Sequence, residues 1–266
     1  MFSEYVHMMP EKVAKLICME YGERPNLSES NNPFILQKEN GVAVMKMDGV
    51  FVPWETSCHM STPLFSQAIK EIKSDDSIQD VVILANSGGG YAEGVDELAK
   101  EIYDLGKVKN THGVITGTCA SACYYSLSQC NSIHAETRTS MIGSIGTYLA
   151  IEDSSGYFEQ MGIKVIPIKT GDLKGAGMMG AKVTDEQINY FQDNVNKLQQ
   201  FFEESVSRGR SQVKIEEVNS GAVFFADKAI ELGLIDGYKT KQAVVDEIMQ
   251  KRERDAIVKK AHNILR

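Results

Sequence analysis

Three short segments of the 266-residue chain hold residue types that could do chemistry, and each follows an apolar run. The first is Asn86-Ser87-Gly88-Gly89-Gly90, directly after Val81 to Ala85. Consecutive glycines allow a turn closed to other residues and leave amide N–H groups bare, which suits them to an anion or a developing oxyanion. Their spacing fits neither a P-loop nor GxGxxG, so nucleotide binding is disfavoured. The second is Gly117 to Tyr125, in which Ser121 stands between Ala120 and Ala122 after the run HGVIT. A serine at a strand-to-helix junction meets a helix N-terminus, where the dipole favours developing negative charge. Serine is also a common N-cap, so the residue alone leaves both roles open. The GxSxG elbow of typical hydrolases is absent. The third, Ile168 to Gly177, sets Lys169 and Lys174 in a glycine-rich loop after the run KVIPI. Alone, a loop lysine reads as a solvated charge.

The elements that must position these segments alternate. Val42 to Met47, DVVILA, HGVITGT and KVIPI (Lys164 to Ile168) read as strands. Leu64, Ala68, Ile69 and Ile72, then Val95, Leu98, Ile102 and Leu105, recur at helical spacing. Apolar runs alternating with helical periods predict an α/β fold with a largely parallel sheet covered on both faces. Thr184 and Gln187 make a capping box for the longest helix, continued by Ile188, Phe191, Val195, Leu198, Phe202 and Val206 and ending near Gly209. A short helix is expected from Pro10 to Tyr21, before the polar linker Gly22 to Pro33. Residues 1–33 are therefore an N-terminal extension and linker, 34–240 the main domain, and 241–266 a C-terminal helix. Its last stretch, Lys251 to Arg266, carries six basic and two acidic residues.

Composition narrows the function. Lys plus Arg is 28 against 36 Asp plus Glu, a net charge of −8, which disfavours nucleic acid as a partner. No apolar run approaches the roughly 20 residues of a membrane-spanning helix. The N-terminus lacks a basic flank followed by an apolar stretch, which points to the cytoplasm. Five cysteines without CxxC pairing suit a reducing compartment, and no disulfide framework is expected. There is no HExxH and no Cys/His ligand cluster, so neither metal nor cofactor is implied.

Taken in order, the three segments resemble the signal peptide peptidase A family of serine-lysine peptidases, which includes the protein C type of phage capsid-assembly protease. Family members carry an Asn-Ser-Pro-Gly-Gly turn, matched by Asn86 to Gly90 with Gly88 in place of proline. They carry a nucleophile between alanines, matched by Ser121, and a Gly-Ser-Ile-Gly element, matched by Gly143 to Gly146. Lys174 falls at the family's lysine, and Ala229, Gly233, Leu234 and Asp236 match an Ala-x-x-x-Gly-Leu-x-Asp ending. The match spans about residues 41 to 240. Cys119 and Cys123 stand where the family more often has small or apolar residues.

The resemblance implies a crotonase-like fold of repeated ββα units, shared by the Clp peptidases and crotonases, and a serine endopeptidase. Ser121 would be the nucleophile, Lys174 its base, Ser144 the residue orienting that lysine, and the amides of Gly89 and Ala122 the oxyanion hole. A lysine serves as base only when neutral, and bringing an ordinary one from about 10.4 to about 7 takes about 4 kcal/mol, which burial supplies. The resemblance further implies a polypeptide substrate, a homo-oligomer, and phage capsid or scaffold proteins as candidate partners. A Clp-type Ser-His-Asp triad would need a histidine where Met141-Ile142-Gly143 stands, and none of His7, His59, His112, His134 and His262 lies in such a context. A Ser-Lys pair is superfluous to a crotonase acting on acyl-coenzyme A, and neither Cys119 nor Cys123 has an assignable histidine. The remaining alternative is a non-catalytic scaffold or assembly protein on the same fold.

Overall fold

The computed structural model describes residues 32–264. Strand β1 (Ile35–Glu39) turns at Asn40-Gly41, both at positive φ, into the antiparallel β2 (Val42–Asp48). Two short strands follow, β3 (Phe51–Val52) and β4 (Met60–Ser61), before α1 (Thr62–Ser74). The chain then returns to the sheet as β5 (Asp80–Ser87), crosses it with α2 (Val95–Gly106) and returns again as β6 (Asn110–Ala120). Next come α3 (Ala122–Leu127), β7 (Ser132–Ala135), β8 (Met141–Gly143), α4 (Ser155–Gln160) and the long α5 (Asp185–Gly209). Strand β9 (Val223–Phe225), α6 (Ala226–Glu231), β10 (Gly237–Tyr238) and α7 (Lys241–Ile264) complete the order.

The main sheet runs β1-β2-β5-β6-β7-β10, parallel from β2 onward. Its side chains alternate between two cores, as period-2 geometry requires. Val81, Ile83 and Ala85 of β5 join the larger core, which also takes Phe65, Ala68, Ile69 and Ile72 from α1 and Leu98, Ala99 and Ile102 from α2. Val82 points the other way and meets Val42, Val44 and Val114, a face covered by Val244 and Ile248 of α7. Arg252, one turn further along α7, donates to the carbonyls of Asn40 and Gly41 and to Asp80. These are the repeated ββα turns of a crotonase-like α/β fold: a long strand, a short extended segment beyond it, and a covering helix. Phe51 bridges to Gly90, joining the short segments of two successive turns.

Strand β6 serves two partners. His112–Ile115 pair with β7, and Thr118–Ala120 pair with β8, which carries β9 antiparallel on its far side. The fork opens the sheet where Ser121 follows. The matched ending of the domain is structural: Asp236 accepts from Ile133 N at 2.7 Å and pairs with the buried Arg210 at 2.6 Å.

The expected capping box of the longest helix forms at Thr184 and Gln187. The stretch 164–168 is not a strand. Ile166 is 69% and Ile168 99% exposed, and no strand lies beside them among the described residues. An apolar run lacking a ladder partner leaves its backbone to water, so here it stays irregular. Cys119, Cys123 and Cys130 are buried free thiols. The helix expected at Pro10 to Tyr21 lies outside the described residues. No helix among those described is long and apolar enough to cross a membrane.

Candidate active site

Ser121 stands at the junction between β6 and α3 with φ 54° and ψ −127°, a region that side-chain-bearing residues rarely occupy. Such strain costs about 1–3 kcal/mol and persists only where surrounding bonds over-determine it. Here Ser121 N–H donates to the Gly143 carbonyl at 2.9 Å, and the Ser121 carbonyl accepts from Tyr125 N–H at 2.9 Å, the first bond of α3. Tyr124, fully buried, ties that helix down by donating its hydroxyl to the Leu234 carbonyl at 2.8 Å. The result pushes Ser121 Oγ out of the helix line, and Ala122 becomes the first helical residue, whose N–H has no intrahelical acceptor. Ser126 and Ser128, later in the same segment, are buried and spend their hydroxyls on the carbonyls of Ala122 and Tyr125.

The glycine turn closes on this serine. A Cβ on Gly89 would stand 2.6 Å from Ser121 Cβ and 3.0 Å from Ala122 N, and Gly89 itself has φ 102°. A Cβ on Gly90 would collide with the Phe51 backbone at 2.3 Å. Gly88 meets nothing within 4 Å, so two of the three glycines are dictated by close approach. Gly89 N–H donates to Ser87 Oγ at 3.0 Å, and Ser87 in turn donates to the Gly49 carbonyl at 2.6 Å.

Ser144 follows β8 at φ 50°, its N–H donating to the Ala222 carbonyl at 2.7 Å. Its neighbour Gly143 supplies the carbonyl that holds Ser121, so the fold brings Ser121, Ser144, Gly89 and Ala122 to one place. It does not bring Lys174 there. Lys174 is exposed, and two residues before it the Asp172 carbonyl accepts from Gln187 Nε2 at 3.3 Å, at the first turn of α5. The cleft beside Ser121 is walled instead by Leu198, Phe201 and Phe202, much further along that helix. At 1.5 Å per residue, Gln187 stands roughly 16–22 Å along the helix from those residues, so the Lys174 loop sits by the opposite end of α5 from the cleft. Lys169, also in this loop, bonds the Asp172 carbonyl.

The cleft is open to solvent, with Ser121 and Ala122 on one side. Two of its residues escape a reading of motifs. Tyr125, 7% exposed, stacks on Phe202 with ring centroids 4.6 Å apart, and Asp96 of α2 lies within 2.8 Å of its hydroxyl. Burial, and then the bond to Asp96, pushes the Tyr125 phenol well above its ordinary range, so it remains a donor. The available signal was positional: the first helical turn after a glycine loop at a strand's C-terminal end faces the site in α/β sheets.

Residues 106–255 match peptidase family S49. A protein of Methanocaldococcus jannaschii named as a protease is 27% identical, over 68% of this chain and 59% of its own length. The head-tail preconnector protein GP5 of Enterobacteria phage P21 is 26% identical, over 74% of this chain and 40% of that one. The chloroplastic serine protease SPPA of Arabidopsis thaliana is 29% identical, over 64% and 25%. This chain thus spans less than two-thirds of each relative's own length. A solved enoyl-CoA hydratase/isomerase from Mycobacterium abscessus covers 84% of this chain and 76% of its own, at TM-score 0.45 and 13% identity. With over half of its length inside the S49 match, the chain belongs to peptidase family S49, the family of signal peptide peptidase A and its phage relatives.

Proposed function

We propose that the chain is a serine endopeptidase whose Ser121 takes its base, Lys174, from a second copy of the same chain. The nucleophile half rests on one observation: Ser121 is held at positive φ at the head of α3, inside an open cleft, with Gly89 packed against it. Ser121 Oγ attacks the carbonyl carbon of a bound polypeptide while its proton passes to the lysine Nζ. The oxyanion then accepts from Ala122 N–H and from Gly89 N–H, once the latter leaves Ser87 Oγ. Collapse expels the amine leaving group, which takes the proton from the lysine, and water hydrolyses the acyl-enzyme by the same route in reverse.

Distance and solvation support the second copy. In its own chain the Lys174 loop sits by the opposite end of α5 from the cleft, and an amine works as base only when neutral, which a dry environment favours. Its segment, residues 147–182, exposes Tyr157, Ile163, Ile166, Ile168 and Met179. Several large apolar side chains exposed on one segment suit a covered interface. Covered by another copy, it would desolvate the lysine, and Ser144, next to Gly143, would orient the incoming amine.

Mixing the two inactive variants tests this directly. Ser121→Ala and Lys174→Ala should each abolish cleavage of an unfolded polypeptide. Co-assembled in equal amounts, they should recover about a quarter of wild-type activity, because one random pairing in four unites an intact serine with an intact lysine. No recovery in an assembly shown by mass to contain both would reject the shared dyad.

A further inference from the structure

We propose that the cleft beside Ser121 is a pocket for the side chain preceding the cleaved bond, and that Asp96 selects a lysine or arginine there. The inference rests on the peptidase reading of Ser121 and extends it to substrate class.

Among the described residues, Asp96 is the one charged residue lining a cleft otherwise walled by apolar, small and hydroxyl-bearing groups. Ala92, Val95, Leu198, Phe201 and Phe202 offer a track for methylenes, and the carboxylate offers a counter-ion for whatever ends them. A side chain with a long aliphatic stem and a cationic head satisfies both, since lysine and arginine lay their stems on apolar surface and keep the charge at a polar site. Shape alone would accept methionine or leucine equally well. The carboxylate makes the difference by attracting a cation and repelling an acidic side chain.

The carboxylate is held in place. Asp96 occupies the first turn of α2, where the helix dipole stabilises an anion. Its Oδ1 lies 2.8 Å from the Tyr125 hydroxyl, whose own position is fixed by Phe202 and by the Phe201 carbonyl 3.0 Å away. One phenol proton serves those two acceptors, and Oδ2 is left with full capacity for a ligand. Asp96 is itself exposed at the mouth, open to an entering side chain.

Binding can be separated from catalysis by using the full-length Ser121→Ala protein and calorimetry. Two peptides are compared that end, with a free carboxylate, in lysine or in norleucine, which share a stem and differ in charge. The lysine peptide should bind roughly tenfold tighter, and the advantage should shrink with added salt. Asp96→Asn should bring the two within about twofold, and Asp96→Lys should transfer the preference to a peptide ending in glutamate. Equal binding of the first two peptides, no binding of either, or a lysine preference that survives Asp96→Asn overturns the assignment. Cleavage by the wild-type chain is read separately. A preference seen in binding with no cleavage anywhere would remove the peptidase reading and leave the pocket, whereas cleavage indifferent to the preceding residue would remove only the pocket.

Discussion

Backbone strain at Ser121 links stability to chemistry at a single residue. Only glycine adopts φ 54°, ψ −127° at little cost, so Ser121→Gly should raise the thermal midpoint, by about 1 kcal/mol net, while ending cleavage. A lowered midpoint would mean that the strain is not stored there. The neighbouring turn yields a paired expectation. Gly89→Ala forces a Cβ to 2.6 Å from Ser121 and should cost about 2 kcal/mol or more together with all activity. Gly88→Ala meets open space at an ordinary φ and should stabilise by about 0.4–1 kcal/mol through the unfolded chain. Chemical denaturation of the two variants measures both signs. The glycines and Ser121 were legible in the sequence because each is a local backbone demand. Asp96 was not, since its meaning depends on Tyr125 and Phe202, which come from two other helices.

At the scale of elements, α7 is fastened to the sheet by Arg252 at Asp80. Burial works against the charged carboxylate, but bonds from His112, Arg252 and Asn110 outweigh it and hold Asp80 down at about 2. A carboxyl depressed in the folded state stabilises above its unfolded value near 3.9, and that contribution fades as pH falls through about 2. It amounts to about 2 kcal/mol at neutral pH. Arg252→Ala should therefore lower the melting temperature near pH 7, with the gap to wild type closing between about pH 4 and pH 2. A gap unchanged over that range would dismiss the anchor. Elements declared by local signals, such as the capping box of α5 and the apolar face of α2, were readable from the sequence. The run at 164–168 misled because its alternation reports a need for burial without naming the surface that meets it. In one chain, Ile168 finds none.

For the molecule as a whole, the α/β class and the parallel order followed from alternating runs, while the separation between Lys174 and the cleft did not. That distance is set by how α5 lies across the sheet, and spacing in the sequence is silent about it. If the dyad is shared, specific activity should climb with protein concentration and then level off, with the rise coinciding with the loss of monomer in sedimentation. Activity proportional to concentration from nanomolar upward, in a sample that sediments as monomer at the low end, would contradict it.

The same separation carries a safeguard. If the dyad is shared, a newly made copy would bear a serine without a base and a lysine without a substrate cleft, and would be inert toward its neighbours while they fold. A shared dyad would make the switch numerical and reversible: the reaction would begin when copies gather and stop when they are diluted, with no bond broken to arm it.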